Sequence, residues 1–148
     1  MSLRRPAIVL ALMLTLPATA VAAAAKDPKA MVDTINRARA KHGAAALRHH
    51  PALSRSARRY ARHLMRTGTF EHPERIRASD RFRHLGEVLS WHHGRKPRRS
   101  RTVRRWMRSP GHRQVLCGRQ FRFVGVGRVS GRFRGHLRTI WVAHLGAR

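Results

Sequence analysis

The chain predicts an α+β domain. Helix-periodic segments occupy the first two thirds of the sequence, and two glycine-punctuated strand segments close it. Helices and strands are grouped along the chain and do not alternate as βαβ units.

The elements follow in order. Asp27-Pro28 suits a helix start, since Asp caps and Pro is tolerated at the first helical position. Met31, Ile35 and Ala38 then recur at helical spacing, and Gly43 ends the run. Leu47 sits in a short extended connection before a second helix from Pro51 to Gly68. Leu53, Ala57, Tyr60, Ala61, Leu64 and Met65 form its apolar stripe, while Arg55, Arg58, Arg59, Arg62 and His63 face away. Thr69 to Gly86 lacks periodicity and predicts a long loop with a helical turn from Arg75 to Phe82. Val88 to Trp91 is a brief apolar stretch, and His92 to Arg99 a basic loop. Ser100 is the expected cap of a third helix that buries Val103, Trp106 and Met107, with a short further turn from His112 to Leu116. Phe121 to Val129 and Leu137 to Leu145 read as strands, with Ser130-Gly131 and Gly135 as turn signals. In the second strand Ile140 and Val142 oppose Trp141, Ala143 and Leu145, which predicts a sheet covered on both faces.

Length and composition bound the class. At 148 residues the chain is one ordinary domain, and a hydrophobic fraction of 42% supplies a core. Lys plus Arg is 33 against 6 Asp plus Glu, a formal charge of +27. Such an excess attracts anionic polymers and lipid headgroups in a salt-dependent way and says nothing of fold. The basic residues are spread along the chain instead of clustered, which argues against a dedicated nucleic-acid segment. Cys117 is alone and cannot close an intramolecular disulfide; behind Val115-Leu116 it reads as a small core residue near a helix end.

Residues 1–25 read as a signal peptide: Arg4 and Arg5 are basic, Ala7 to Leu16 is apolar, Pro17 breaks the run, and small residues follow. The apolar run is short for a membrane span. Residues 26–148 are then the mature domain, exported out of the cytoplasm to the periplasm or cell exterior.

Four of the six carboxylates, Glu71, Glu74, Asp80 and Glu87, gather around His72. His72, Glu87 and His112 each stand beside a turn signal (Pro73, Gly86, Gly111), where side chains from separate segments can converge. Two His and a carboxylate suit zinc with an open position for water. The pairs His49-His50 and His92-His93 read as solvated, and His144 as a structural residue of its strand. No G-x-S-x-G, H-E-x-x-H or phosphate-binding glycine loop is present, which disfavours hydrolases of familiar design.

Six segments, in order, resemble the CAP superfamily in its short bacterial form, the group of cysteine-rich secretory proteins, antigens and pathogenesis-related proteins. They are Asn36-Arg-Ala-Arg39 with His42-Gly43; Leu53-Ser-Arg-Ser-Ala57-Arg-Arg-Tyr60-Ala61; Phe70-Glu71-His72; Gly86-Glu87; Trp106-Met-Arg-Ser109-Pro110-Gly111-His112-Arg113; and Phe121-Arg-Phe-Val-Gly125-Val-Gly127. Trp141-Val142 matches the closing strand. The resemblance implies an α–β–α sandwich with a three-stranded antiparallel sheet between helices. It places His72 and His112 as histidines able to hold zinc or another divalent metal, with Glu87 as the carboxylate of the cleft. The family's second carboxylate position holds Ser109, and Val88 replaces the Asn of its G-E-N element.

Three functions follow as expectations. The first is a secreted, non-catalytic binding protein for an envelope lipid, sterol or anionic polymer, in peripheral contact with membrane or cell wall through its basic surface. The second is a zinc-dependent hydrolase or protease in which His72 and His112 hold the metal and Glu87 is the base. The third is a cationic effector acting on membranes or nucleic acid through charge alone.

Overall fold

Alternation along the C-terminal strands decides the architecture. A computed structural model describes the backbone from residue 18 and the side chains from residue 28; most of the expected signal peptide lies outside the described residues. The elements are α1 (Ala18–Ala40), β1 (Arg48–His49), α2 (Pro51–Thr67), β2 (His84–His93), α3 (Arg99–Arg108), α4 (Pro110–Leu116), β3 (Phe123–Phe133) and β4 (His136–Ala147). The sheet order is β1-β3-β4-β2. β2, β4 and β3 form the three-stranded antiparallel sheet expected, and the two-residue β1 adds a parallel pairing to β3 as a fourth strand.

Each face of the sheet carries its own core. Trp141, Ala143 and Leu145 of β4 pack with Val88, Val124 and Val126 against Met31, Ile35, Val103, Trp106 and Leu116 from α1, α3 and α4. The intervening Ile140 and Val142 join Leu89 and Phe133 against Ala57, Ala61 and Leu64 of α2. α2 therefore covers one face, and α1, α3 and α4 the other. The period-2 reading of β4 is borne out, because successive side chains leave a strand on opposite sides.

The second helix starts and stops as its sequence predicts. The His50 ring accepts from the Ala52 amide at 3.2 Å, Pro51 opens the first turn, and Gly68 ends it at φ 70. His50 is thus half-buried and structural, against the expectation that the pair is solvated; His49 beside it is exposed. At the end of α1, Asn36 brackets the Leu47 peptide, donating to its carbonyl at 3.0 Å and accepting from its amide at 2.8 Å. Arg39 is fully buried and donates to the carbonyls of Ala45, Leu116 and Gly118, tying α1 to the end of α4.

Several expectations are corrected. α1 begins upstream of Asp27-Pro28 and contains Pro28, because the alanine-rich stretch before it is itself strongly helix-forming. No helical turn forms over Arg75 to Phe82; the loop is pinned when Ser56 Oγ and Arg59 Nη2 donate to the Arg77 carbonyl at 2.7 and 2.9 Å. Val88 to Trp91 is the middle of a ten-residue strand, paired along its whole length with β4. His92, read as solvated, is buried within hydrogen-bond reach of the His93 and Pro97 carbonyls. α3 begins at Arg99, one residue before the expected cap, after a left-handed Arg98. Ser130-Gly131 stays in the ladder, where Ser130 Oγ meets Thr139 Oγ1 at 2.7 Å across the strands, and the hairpin turns at Arg134-Gly135.

Two glycines seat α2. A Cβ on Gly125 would lie 2.0 Å from the Ser54 amide nitrogen, and one on Gly127 would lie 2.4 Å from the Ala57 carbonyl carbon and the Arg58 nitrogen. Helix backbone fills the space a side chain would need, and backbone cannot rotate away. Among the described residues, no helix is long and apolar enough to cross a membrane. Gly127→Ala is expected to cost about 3 kcal/mol or to prevent folding. Gly131→Ala, whose Cβ would meet only the flexible Met65 side chain, Sδ nearest at 3.4 Å, should stay within about 0.5 kcal/mol of the parent when both variants are followed by thermal melts.

Candidate functional site

The registered pairing of β2 with β4 sets Glu87 opposite His144. Both side chains project from the face covered by α2, on the same side as Leu89 and Val142. Glu87 Oε2 is 2.8 Å from His144 Nε2, and its side chain is only 3% exposed. Its other oxygen, Oε1, is 2.8 Å from Nδ1 of His72, which the loop after α2 brings over the β2 edge and leaves 60% exposed. His112, near the start of α4, completes the group, its ring centroid 6.5 Å from that of His72.

Proton accounting fixes the roles in this chain. Ser56 Oγ has one proton and gives it to the Arg77 carbonyl, which can only accept. Ser56 Oγ must then accept from His144 Nδ1, 3.1 Å away. Nε2 of His144 lies at 2.8 Å from Glu87 Oε2, so both ring nitrogens of His144 are engaged, one by a hydroxyl and one by a buried carboxyl group. His72 donates to Oε1 through Nδ1, which leaves Nε2 as its free ring nitrogen. A Ser–His–Glu chain resembles a hydrolytic triad in composition, but here His144 donates to Ser56, whose hydroxyl is spent on a carbonyl.

The sequence reading singled out His72, Glu87 and His112 and gave His144 a structural role only. It missed Ser56 and Tyr60 as neighbours of the site. A pairing of Gly86-Glu87-Val88 against Ala143-His144-Leu145 was the available signal, since both segments alternate and must align their apolar faces. Ser56, Tyr60 and His144 line a cavity of about 320 Å³ under Arg59, Arg75 and Arg77. Tyr60 donates from its hydroxyl to the Glu71 carbonyl at 2.8 Å. Burial, reinforced by the charges of Glu87 and Glu71, pushes its phenol up to about 12. Burial also lowers the pKa of His112, with His72 adding to the shift, and this favours its neutral, lone-pair form.

Two nitrogens, one on each of His72 and His112, are the donors a divalent ion would use. Two imidazoles on one tetrahedral zinc have ring centroids about 5 Å apart, so a shared ion would draw these rings together by roughly 1.5 Å. Among the described residues no cluster of three or more His, Cys, Asp or Glu is placed to hold an ion. His72 and His112 would thus supply at most two donors, and Glu87 stands behind His72 as the group that orients its ring.

A sheet sandwiched between α2 and the α1, α3, α4 layer, with histidines and a glutamate at the β2 edge, defines a CAP-type domain. Residues 32–145 match the cysteine-rich secretory protein family, CAP, and the chain belongs to that family. Its fold is similar to that of an outer surface protein from Borrelia burgdorferi (TM-score 0.65, 22% identity, 83% of this chain and 93% of that one). It also resembles an extracellular SCP-domain protein from Bacillus anthracis (TM-score 0.66, 19% identity, 83% of this chain and 41% of that one). Venom allergen-like protein 4 of Schistosoma mansoni is a third likeness (TM-score 0.66, 9% identity, 82% of this chain and 88% of that one). No significant match is found among curated protein sequences.

Tyr60 is the only tyrosine, so its ionisation can be followed alone by ultraviolet absorbance. The transition is expected near pH 12, and Glu87→Gln should move it down without restoring 10, because burial is the larger cause. A phenol raised in the folded state favours folding below pH 10, and this contribution is lost as pH climbs toward 12.

Proposed function

We propose that this protein is an extracytoplasmic, non-catalytic CAP-domain binding protein that is held at an anionic polymer of the cell envelope by its basic surface. The observation that carries this reading is a contrast of charge. The one buried carboxylate of the cleft is spent on two histidines, while exposed arginines on α2 and α3 have no carboxylate on their own helices. A general base must reach the proton it removes, and Glu87 is buried with both oxygens engaged. Its role in this reading is to position His72. The outer-surface and extracellular relatives support a location outside the cytoplasm. A lipid or sterol in place of the polymer would use the groove of about 410 Å³ between α1 and α3, floored by Ala38, Val103 and Met107.

Retention on an isolated envelope fraction should fall steeply as salt rises from 50 to 500 mM, as it does when many cationic contacts release counterions. The Glu87→Gln and His72→Ala variants should be retained like the parent. Retention indifferent to salt, or lost in the cleft variants, would overturn the reading.

A metal-dependent reading has its own support in the free Nε2 of His72 and the neutral form favoured at His112. A divalent ion held there would supply a Lewis acid and an activated water. Zinc calorimetry on the parent should then show one site, abolished in the His72→Ala/His112→Ala variant. An unchanged isotherm in the variant would remove this pair as the ligands.

A further inference from the structure

Octads with arginine at the same four positions occur on two helices. α2 contains Arg55-Ser-Ala-Arg58-Arg59-Tyr60-Ala-Arg62, and α3 contains Arg101-Thr-Val-Arg104-Arg105-Trp106-Met-Arg108. Both read R-(S/T)-(A/V)-R-R-(Y/W)-(A/M)-R. At 100° per residue, the four arginines of each octad fall on one side of the helix within two turns. The eight guanidinium-bearing residues are all exposed. The intervening positions point inward: Ser56, Ala57, Ala61, Thr102, Val103 and Trp106 are buried.

Neither helix contains an Asp or Glu. On α3 the four arginines alone bound a surface hollow of about 410 Å³. Neighbouring arginines at i, i+3 and i+4 have Cβ atoms about 5–6 Å apart, which lets adjacent forks grip successive anionic groups along a chain. Guanidinium forks match phosphate oxygens in bidentate fashion, and all but four of the basic residues of this chain are arginine. The aromatic side chain of each octad lies on the inward flank, with Trp106 1% exposed and its Nε1 donating to the Leu89 carbonyl at 2.8 Å. On α3 no ring stands among the arginines for a nucleobase to stack on, and on α2 the one outward ring, His63, is stacked on Tyr60.

The two stripes are separated by the sheet. α2 packs on one face and α3 on the other, so a straight polymer segment lying along one stripe cannot touch the second. We infer that the protein has two separate, equivalent sites for a linear phosphate-bearing polyanion, one on α2 and one on α3, and that it bridges two such chains. This rests on the polymer-binding reading above and adds its chemistry, its location and a valency of two. Bridging multiplies apparent affinity, because the second contact forms at high local concentration.

The test uses short and long poly(glycerol phosphate), with inorganic polyphosphate and a single-stranded oligonucleotide of equal charge as comparators. The variants are Arg58→Gln/Arg62→Gln/Arg66→Gln on α2 and Arg101→Gln/Arg104→Gln/Arg108→Gln on α3. They spare Arg59 and Arg105, which donate to the backbone carbonyls of Arg77 and Trp91. Circular dichroism confirms that each variant keeps its fold. The parent should bind two short chains per molecule by calorimetry, each triple variant one, and the six-fold variant none. With long chains the parent should form light-scattering networks, and either triple variant should bind without forming them. Inorganic polyphosphate binding with the same stoichiometry would assign the site to phosphate itself, whereas at least ten-fold weaker binding would assign it to the polyol phosphodiester; both outcomes support two stripes. One chain per parent molecule, or loss of both sites in a single triple variant, would overturn the inference and leave polymer binding standing. Tighter binding of the oligonucleotide would also overturn it, in favour of a nucleic-acid partner. Absence of binding to every anionic chain, together with salt-indifferent envelope retention, would remove the underlying reading as well.

Discussion

The absence of two side chains governs this molecule. Where β3 passes beneath α2, Gly125 and Gly127 let helix backbone come closer than any Cβ would permit. That approach sets the height of α2 above the sheet. It brings Ser56 within reach of the His144 ring and of the Arg77 carbonyl, which holds the following loop. The same loop carries His72 over the edge of β2 to Glu87. A helix pushed outward by one methyl group would break this chain at its first link. The geometry of the cleft is thus inherited from a packing decision made on another strand.

The cleft and the surface treat charge in opposite ways. Inside, Glu87 is desolvated and is tolerated because two histidines complete its hydrogen bonds, and breaking such a buried pair on one side typically costs several kcal/mol. Outside, arginines stand in water with few counter-charges, where an individual pair contributes little and the collective field acts at long range. The first arrangement fixes shape and the second sets what approaches. The two meet at one point, where Arg59 donates to the same Arg77 carbonyl as Ser56, the partner of His144.

The sequence disclosed most of the framework for a simple reason: its signals are local or periodic. Pro51 and Gly68 punctuate α2, and β4 alternates between two cores. Positions 72, 87 and 112 were legible because each adjoins a turn residue and matches a family motif. His144 was not, since its importance depends on which residue of β2 lies opposite, and register is a property of the pair. Ser56 looks like an ordinary polar residue on a helix until β3 brings the helix down on the sheet. The loop from Thr69 gives no periodic signal, so the sequence could not show that side chains of α2 satisfy its backbone or that β2 starts as early as His84.

The clamp at the end of α1 carries one more consequence. Asn36 and Arg39 together tie the end of α1 to two further backbone segments, the nearby 45–47 and the distant 116–118, and they do so entirely with hydrogen bonds. Relatives named for their cysteines can stitch loops with covalent bridges; this chain has a single thiol and cannot. Its cross-ties therefore form without thiol oxidation or disulfide exchange. Reducing and oxidising surroundings should therefore leave the same set of cross-ties in place.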